Sequence, residues 1–314
     1  MSTTSKSPRR VLQTAFLIGE LSLPRYAHRY SPKKFTQPQL FACLVLKEFM
    51  LCDYRKLAAW LADCPDLCGT IGLETVPHFT TFQKAAQRLL AAPPARRLLD
   101  ETVRLAQVTG RLKSRVPLAA GDGSGWESHH VSHYYVKRRA SCSKFWQKTT
   151  YARFPKAGVL CDCATHLILA IVPGRGPGPD INHFRQLLAQ ALRRVSIDTA
   201  AFDAGYDAEH AHEYARGECG VRTLIPATIG RPTAKRLKSY WRRQMKSRLH
   251  LTRYGQRWQS ETVNSMLKRL QGSALRARSH WSQSRETVLR AITHNIMILR
   301  RNGGFLRSTP VPFK

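Results

Sequence analysis

Apolar residues recur with helical spacing through the first part of the chain. Thr36 and Asp53 each precede such a segment and are typical helix N-cap residues, and Pro38 suits the first turn of the helix after Thr36. The pattern predicts four helices, starting near Thr36, Asp53, Thr75 and Pro94, with the last ending near Val108. Residues 1–35 are basic and show no such pattern, so we expect them to be irregular. Residues 1–112 are therefore predicted to form a small all-helical domain.

The pattern changes after residue 112, where short apolar runs alternate with helical segments. The runs predict five strands, over residues 116–120, 157–163, 166–172, 199–202 and 221–225. The remaining segments predict helices over residues 182–195, 207–219, 254–270 and 284–301. Three strands followed by alternating helices and strands indicate an α/β domain over residues 113–301, with residues 302–314 as a C-terminal tail.

The charge balance narrows the class of partner. The 314 residues include 51 Lys and Arg against 20 Asp and Glu, which gives a net charge of +31. Such an excess points to a polyanion, either nucleic acid or an anionic membrane surface. The best apolar run, residues 40–46, is too short to span a bilayer, and residues 1–23 lack a signal-peptide cleavage site. The eight cysteines do not suggest a disulfide framework in so long a chain, so we expect a cytoplasmic protein.

Two aspartates are predicted at strand ends, where side chains project into the crevice beyond a sheet. Asp122 and Asp203 are each followed by small residues, which would let a metal ion and a phosphate approach. An Asp followed by Gly also simply makes a turn, so each aspartate alone has two interpretations. Further acids lie near these motifs: Glu127, Asp162, Asp180 and Asp207.

The predicted helix over residues 254–270 has one polar and one apolar face. At 100° per residue, the polar face carries Tyr254, Arg257, Glu261, Asn264 and Lys268. The opposite face is apolar and can pack on the sheet, so the polar face can look into the crevice. An ordinary exposed helix surface would also be polar, and Arg257 with Glu261 could form a routine i, i+4 ion pair.

A basic tract precedes this helix. No Asp or Glu occurs between Glu218 and Glu261, while nine residues from 231 to 253 are Lys or Arg. This one-sided charge favours a phosphate-binding track over an ordinary solvated surface. The candidate phosphate contacts in the tract are Lys235, Arg236, Arg242 and Arg243. Three aromatic residues lie in or near the tract and could stack on bases or belong to the core: Tyr240, Trp241 and Trp258.

These motifs together resemble a known enzyme family. The spacing of Tyr254, Arg257, Glu261 and Lys268 resembles the YREK signature of DDE-type insertion-sequence transposases of the insertion sequence four and five groups. The segments 122–124 and 203–206 resemble the motifs around the first and second aspartates of that family, and 176–188 resembles the loop and helix between them. The resemblance covers about residues 35–301. It implies a ribonuclease-H-like mixed five-stranded sheet flanked by helices, and the predicted element order agrees with that fold.

The resemblance also implies a reaction. Asp122, Asp203 and Glu261 would hold two Mg²⁺ ions, with Mn²⁺ as a substitute, for cleavage at the element ends and strand transfer into target DNA. The phosphate contacts near this site would be Tyr254, Arg257 and Lys268. The DNA partners would be the terminal inverted repeats and the target duplex, bound by a homodimer or a larger oligomer.

The N-terminal helices resemble the end-binding domain of such transposases. Residues 77–82 resemble the start of its recognition-type helix, so the following polar residues could face DNA, although the helix could also serve only for packing. These residues are Gln83, Lys84, Gln87 and Arg88. Two alternatives to a transposase remain: a catalytically silent DNA-binding protein derived from one, and a structure-specific nuclease of the same fold.

Overall fold

The chain divides into two units after Lys113. A computed structural model describes residues 4–128, 154–227, 237 and 239–299. Its contacts group Met1–Lys113 with Val288–Lys314, here the helical unit, and leave Ser114–Thr287 as a second, sheet unit. The predicted boundary was one residue earlier, and residues from 288 to 301 had been assigned to the second domain. None of the helices in the described ranges is long and apolar enough to cross a membrane.

The helical unit begins with helices whose caps are readable in the sequence. The helices are α1 (Pro8–Ser22), α2 (Gln37–Phe49), α3 (Tyr54–Asp63), α4 (Pro65–Gly69), α5 (Phe79–Leu89) and α6 (Ala92–Val108). Thr36 and Gln39 form a capping box at the start of α2, and Asp53 caps α3 by accepting two backbone N–H bonds. The helix predicted from Thr75 begins instead at Phe79. The predicted caps of α2 and α3 are therefore confirmed.

The expectation that residues 1–35 are irregular is wrong, because α1 occupies part of this segment. Its apolar residues recur on one side of the helix and are fully buried, as seen for Val11, Leu12, Ala15 and Ile18. Gly19 allows close approach to α2, since a Cβ atom there would lie 2.9 Å from the Cα of Pro38. The basic residues around α1 thus conceal a short amphipathic pattern.

The sheet unit is built around a mixed five-stranded sheet. Its strands are β1 (Arg115–Val116), β2 (Ala119–Gly125), β3 (Glu127–Ser128), β4 (Phe154–Asp162), β5 (Ile168–Gly176), β6 (Ser196–Ile197), β7 (Thr199–Phe202), β8 (Arg222–Leu224) and β9 (Ala274–Leu275). The main sheet has the order β5-β4-β2-β7-β8. Strand β4 is antiparallel to both β5 and β2, whereas β7 is parallel to both β2 and β8. Two short parallel ladders join β1 to β6 and β3 to β9.

Helices and shorter turns flank this sheet. The helices of the sheet unit are α7 (Ile181–Leu192), α8 (Glu209–Glu213), α9 (Tyr240–Arg248) and α10 (Trp258–Gln271), while α11 (His280–Leu299) belongs to the helical unit from Val288 onward. A π-helical turn covers Tyr214–Glu218, and 3₁₀ turns cover Ala204–Tyr206, Leu249–Leu251 and Arg253–Arg257. A mixed five-stranded sheet flanked by helices and preceded by a helical region confirms the predicted ribonuclease-H-like α/β class.

Two strands run past their predicted ends, and both do so along β4. Strand β2 continues to Gly125 and β5 to Gly176, although Gly and Pro in these segments had indicated loops. Pro173 is compatible with β5 because this strand lies at the sheet edge, where a missing N–H leaves no ladder bond unmade. Local breaker residues were therefore outweighed by pairing with a long central partner.

The two faces of β2 look toward different helices. Gly123 and Gly158 pair across β2 and β4, and Cβ atoms at these positions would meet the α7 side of the sheet, including Leu187. Because side chains alternate along a strand, Asp122 projects to the other face. There it contacts Asn264 of α10.

Candidate active site

Asp122 lies within a strand instead of at its end, which corrects the prediction. The antiparallel pairing of β2 with β4 continues to Gly125, so the aspartate has strand neighbours on that side. The parallel pairing of β2 with β7 stops earlier, at Gly121 opposite Phe202. Asp122 is thus the first residue of β2 past the last pair with β7, directly opposite Asp203.

Asp203 directly follows β7, as predicted. Its carboxylate caps the 3₁₀ turn Ala204–Tyr206, with Oδ1 accepting the N–H of Gly205 at 2.9 Å. The Oδ1 of Asp122 accepts the N–H of Gly123 at 2.8 Å. Because β2 and β7 are adjacent and parallel, these two carboxylates come together where β7 ends beside β2.

Burial and neighbouring acids raise the pKa of both aspartates. Burial is the main cause that raises the pKa of Asp122 to about 6, and the nearby charge of Asp203 adds to it. The Gly123 amide, Arg257 and Asn264 oppose this rise. Burial also raises the pKa of Asp203, although Arg257 acts against it. The positively charged side chains nearby therefore do not offset the full negative charge of the two carboxylates. A bound cation would offset the negative charge that remains.

Glu261 lies on α10 and is paired with Arg257. Helix α10 begins at Trp258, within the start predicted between residues 254 and 258, whereas Tyr254 and Arg257 lie on the preceding 3₁₀ turn Arg253–Arg257 and not on the same continuous helix. The guanidinium of Arg257 still donates to Oε1 of Glu261 as an i, i+4 pair. The Glu261 side chain is 57% exposed. The routine ion pair considered from the sequence is therefore present.

A cleft of about 630 Å³ joins Asp122 to Glu261. Lys268, Arg269 and Asn264 also line it, together with small residues of β2. Among the described residues, however, no three His, Cys, Asp or Glu side chains stand close enough together to hold a metal ion. The structure thus brings Asp122 and Asp203 together and places Glu261 in the same cleft as Asp122, with its carboxylate on Arg257.

The comparison with known families agrees with this arrangement. Residues 117–296, more than half of the chain, match the family model described as "Transposase DDE domain". The chain belongs to the DDE transposase family. As a transposase it is a nucleotidyl-transferring enzyme that acts on DNA, and the matched region includes Asp122, Asp203 and Glu261. A comparison with curated proteins gave no match.

Asn264 lies at the candidate site of the transposase, and no role was predicted for it from the sequence. Its side chain is buried, and Nδ2 donates to Oδ2 of Asp122 at 3.1 Å. Its place on the polar face of the predicted helix, between Glu261 and Lys268, was the available signal. The hydrogen bond shows that this face does turn toward the first aspartate.

The predicted DNA-binding residues of the transposase have different surroundings. Lys268 is half-buried at the cleft, and Tyr254 is half-buried with its pKa raised by burial. Arg243 is exposed on α9, whereas Arg242 donates from Nε and Nη2 to the two carboxylate oxygens of Asp207. The other two predicted contacts, Lys235 and Arg236, lie outside the described residues.

Three other candidate acids differ in their surroundings: two have structural contacts, and one lies near the candidate site. Asp162 accepts both the N–H and the hydroxyl of Thr165 and so closes a turn, while Asp207 is paired with Arg242. Asp180 differs from both, because it forms an ion pair with Lys156 and raises the pKa of Asp203. Its distance along the chain from both aspartate motifs concealed this link.

Proposed function

We propose that this transposase cleaves DNA at the ends of its mobile element and joins them to target DNA, with Mg²⁺ as the metal. The observation that carries the proposal is the pair Asp122, on β2, and Asp203, directly after the adjacent parallel strand β7, with burial and the charge of Asp203 raising the pKa of Asp122. The spacing from Tyr254 to Lys268 supports placement in the insertion sequence four and five groups, within the DDE family that the chain matches.

The donor set fits a hard divalent cation. Carboxylate oxygens are the ligands that Mg²⁺ prefers, and Asp122 and Asp203 present them side by side with too little positive charge nearby. Glu261 would complete the set after exchanging Arg257 for the metal, which its exposure allows. Two ions, or Mn²⁺ in their place, would stabilise charge on the attacking and leaving oxygens of phosphoryl transfer.

The chain's own residues would hold the DNA in place. Lys268 and Arg269 line the cleft beside Asp122 and would neutralise phosphates there. Arg257, once released from Glu261, would bind a phosphate through two N–H groups of its guanidinium. Tyr254, in the turn before α10, would contact the same DNA strand. Asn264 would keep the Asp122 carboxylate oriented through its hydrogen bond.

The basic tract would extend this DNA path. Arg243 is exposed on α9 and suits a phosphate contact, as Lys235 and Arg236 do by sequence. Arg242 would contribute through its charge while its guanidinium orients on Asp207. The overall charge of +31 supports a duplex partner large enough to cover such a track.

The helical unit would recognise the element ends. Helix α5 buries Phe82, Ala85, Ala86 and Leu89 and leaves its other face in solvent. That face carries the four predicted contacts, all exposed: Gln83, Lys84, Gln87 and Arg88. Such a helix suits insertion into a major groove. Binding of two ends by a homodimer or a larger oligomer would follow from the two ends of one element.

The proposal is tested with the full-length chain on a plasmid that carries the element ends, with Mg²⁺ or Mn²⁺. Asp122→Ala, Asp203→Ala and Glu261→Ala should each lower cleavage by roughly 100-fold or more while DNA binding persists. Asp198→Ala is the matched control, because Asp198 lies at the other end of β7 in an exposed ion pair with Arg115. We expect near-normal cleavage from it.

The same assay separates the alternatives. Cleavage by the wild-type protein without joining to target DNA would indicate a structure-specific nuclease. Sequence-specific binding without cleavage would indicate a silent DNA-binding protein. Either result would contradict the proposed transposition reaction, and full activity of a carboxylate variant would remove that residue from the active site.

A further inference from the structure

Asp180 occupies a position between the two aspartate motifs. It immediately precedes α7 and packs against β2, where a Cβ atom at Gly123 would overlap with its Oδ1. A Cβ atom at Gly205 would lie 3.5 Å from its Oδ2. The Asp180 carboxylate therefore packs beside the residue that follows Asp122 and close to the second residue after Asp203.

Lys156 holds this carboxylate from the neighbouring strand. Its Nζ lies 2.8 Å from Oδ1 of Asp180 and also donates to the carbonyl oxygen of Gly178 at 2.8 Å. The side chains are only 14% and 23% exposed, respectively. The lysine thus ties both the acid and the loop that carries it to β4, so the ion pair has one fixed arrangement.

The two members of the pair have opposite effects on the same carboxylate. A Cβ atom at Gly205 would lie 3.0 Å from Oδ1 of Asp203 and 3.5 Å from Oδ2 of Asp180, so the two carboxylates are close together, and Lys156 brings the opposite charge to the same place. Neither Asp180 nor Lys156 is among the main influences on Asp122. The pair therefore acts on the aspartates from the Asp203 side, as Arg257 and Asn264 do from the α10 side.

We propose that Asp180 and Lys156 are positioning residues that set the cation affinity of the Asp122–Asp203 pair, with Asp180 increasing it and Lys156 limiting it. The inference rests on the proposed function, in which these aspartates hold a divalent cation. Packing of Asp180 against Gly123 and near Gly205 fixes the spacing of the two aspartate motifs. The ion pair with Lys156 partly neutralises the negative charge that Asp180 adds beside them.

The test is a Mn²⁺ titration of the full-length protein without DNA, followed by the paramagnetic signal of the ion. Asp180→Asn keeps the side-chain shape and should weaken Mn²⁺ binding about 10-fold, because a unit charge is removed at short range. Lys156→Met should strengthen binding by a similar factor, and the double variant should lie close to the wild type. Both single variants break the same ion pair, so a merely structural role predicts that both weaken binding.

Matched control variants make the same change of charge at a different place in the sheet unit. Asp198→Asn and Arg115→Gln break an ion pair at the opposite end of β7, and each should change Mn²⁺ affinity less than about twofold, since distant exposed charges are screened. Lys156→Arg should behave as the wild type. If Lys156→Met does not fold, Lys156→Gln removes the same charge and replaces it.

The outcomes separate the inference from the proposed function. Opposite shifts in the two single variants support the inference. Shifts in the same direction, or none, overturn it while Mn²⁺ binding by the wild type still supports the metal site. If the wild-type protein binds no Mn²⁺, with or without element-end DNA, the proposed metal site fails and the inference fails with it.

Discussion

A buried carboxylate in the helical unit and one in the sheet unit have opposite electrostatic surroundings. Glu48 on α2 is 4% exposed and lies 3.0 Å from Arg290 and 3.2 Å from Lys47. Asp122 is half-buried, accepts hydrogen bonds from a neutral amide and from Asn264, and has Asp203 as its neighbouring charge. The first carboxylate is paired with cations of its own chain, and the second lies beside another acid.

This difference separates a buried charge that is balanced within the fold from one that is not. Burial of an ion costs free energy that nearby opposite charge must offset. In the helical unit Lys47 and Arg290 supply that charge within the fold. At Asp122 the nearby groups offset only part of the free-energy cost of burying the charge, and the pKa of Asp122 therefore rises to about 6. A cation bound at the proposed site would supply the positive charge that the fold does not supply there.

The largest effect is expected from breaking the balanced pair. Arg290→Met leaves the Glu48 carboxylate buried with Lys47 alone, and removing one partner of a buried ion pair costs about 3–5 kcal/mol. Because Lys47 remains, we expect about 3 kcal/mol of destabilisation. Urea unfolding followed by helical circular dichroism measures it.

Arg185→Met serves as the control for this change. Arg185 and Glu218 form an exposed pair, 63% accessible on both sides, and such pairs contribute about 0–1 kcal/mol. Equal destabilisation by the two variants would show that burial does not distinguish the two ion pairs, and the comparison would lose its basis.

The next effect concerns the unbalanced carboxylate and depends on pH. Because the pKa of Asp122 is raised in the folded state, folding binds a proton between about pH 4 and pH 6, and stability falls as the pH rises through this range. Asp122→Asn removes that loss. Relative to the wild type, the variant should gain about 2 kcal/mol in unfolding free energy from pH 4 to pH 7, after allowance for partial exposure.

Thermal unfolding across this pH range checks the prediction. Asp198→Asn controls for the change in net charge, because Asp198 lies at the other end of β7. A constant difference between Asp122→Asn and the wild type at every pH would mean that burial does not perturb Asp122.

A smaller effect on stability is expected when a divalent cation is added to the protein. At about ten times its dissociation constant, Mn²⁺ should stabilise the wild-type protein at neutral pH by about 1.4 kcal/mol. Asp203→Ala should abolish this response, whereas Arg290→Met should keep it, because its defect lies in the helical unit. Differential scanning fluorimetry at constant ionic strength measures all three, and stabilisation of Asp203→Ala would place the ion elsewhere.

The smallest stability effect is expected at the pair between Arg257 and Glu261. Since Glu261 is exposed, Arg257→Lys should change stability by less than about 0.5 kcal/mol. It should nevertheless lower the transfer rate about 10-fold, because lysine lacks the planar guanidinium fork. The slope of log DNA affinity against log salt should hardly change.

Arg243→Gln tests the contrasting role of the basic tract. This variant should reduce the salt slope by about 1, as expected for one lost phosphate contact. Full transfer activity of Arg257→Lys at saturating DNA would instead make Arg257 a general phosphate contact or simply the ion-pair partner of Glu261.

Local chemistry was enough to predict much of the fold. Thr36 and Asp53 cap helices through hydrogen bonds to residues within three positions, so the sequence around them contains the whole signal. Strand β7 and the place of Asp203 after it were likewise predicted from one apolar run. The irregular N-terminus was predicted wrongly, although α1 has local signals of its own: Ser7 caps it by accepting the N–H of Arg10, Pro8 stands in its first turn, and its apolar side is buried.

The site needed contacts between residues far apart in the chain. Asn264 reaches Asp122 across 142 positions, and Asp180 approaches Gly123 of β2 because α7 packs over the neighbouring strands β4 and β5. Caps and periodicities reveal short-range hydrogen bonds and the burial of one face, and both are properties of a segment. Which side chains share a charge environment depends instead on strand register and helix packing, because Coulomb interactions follow distance in space and not separation along the chain.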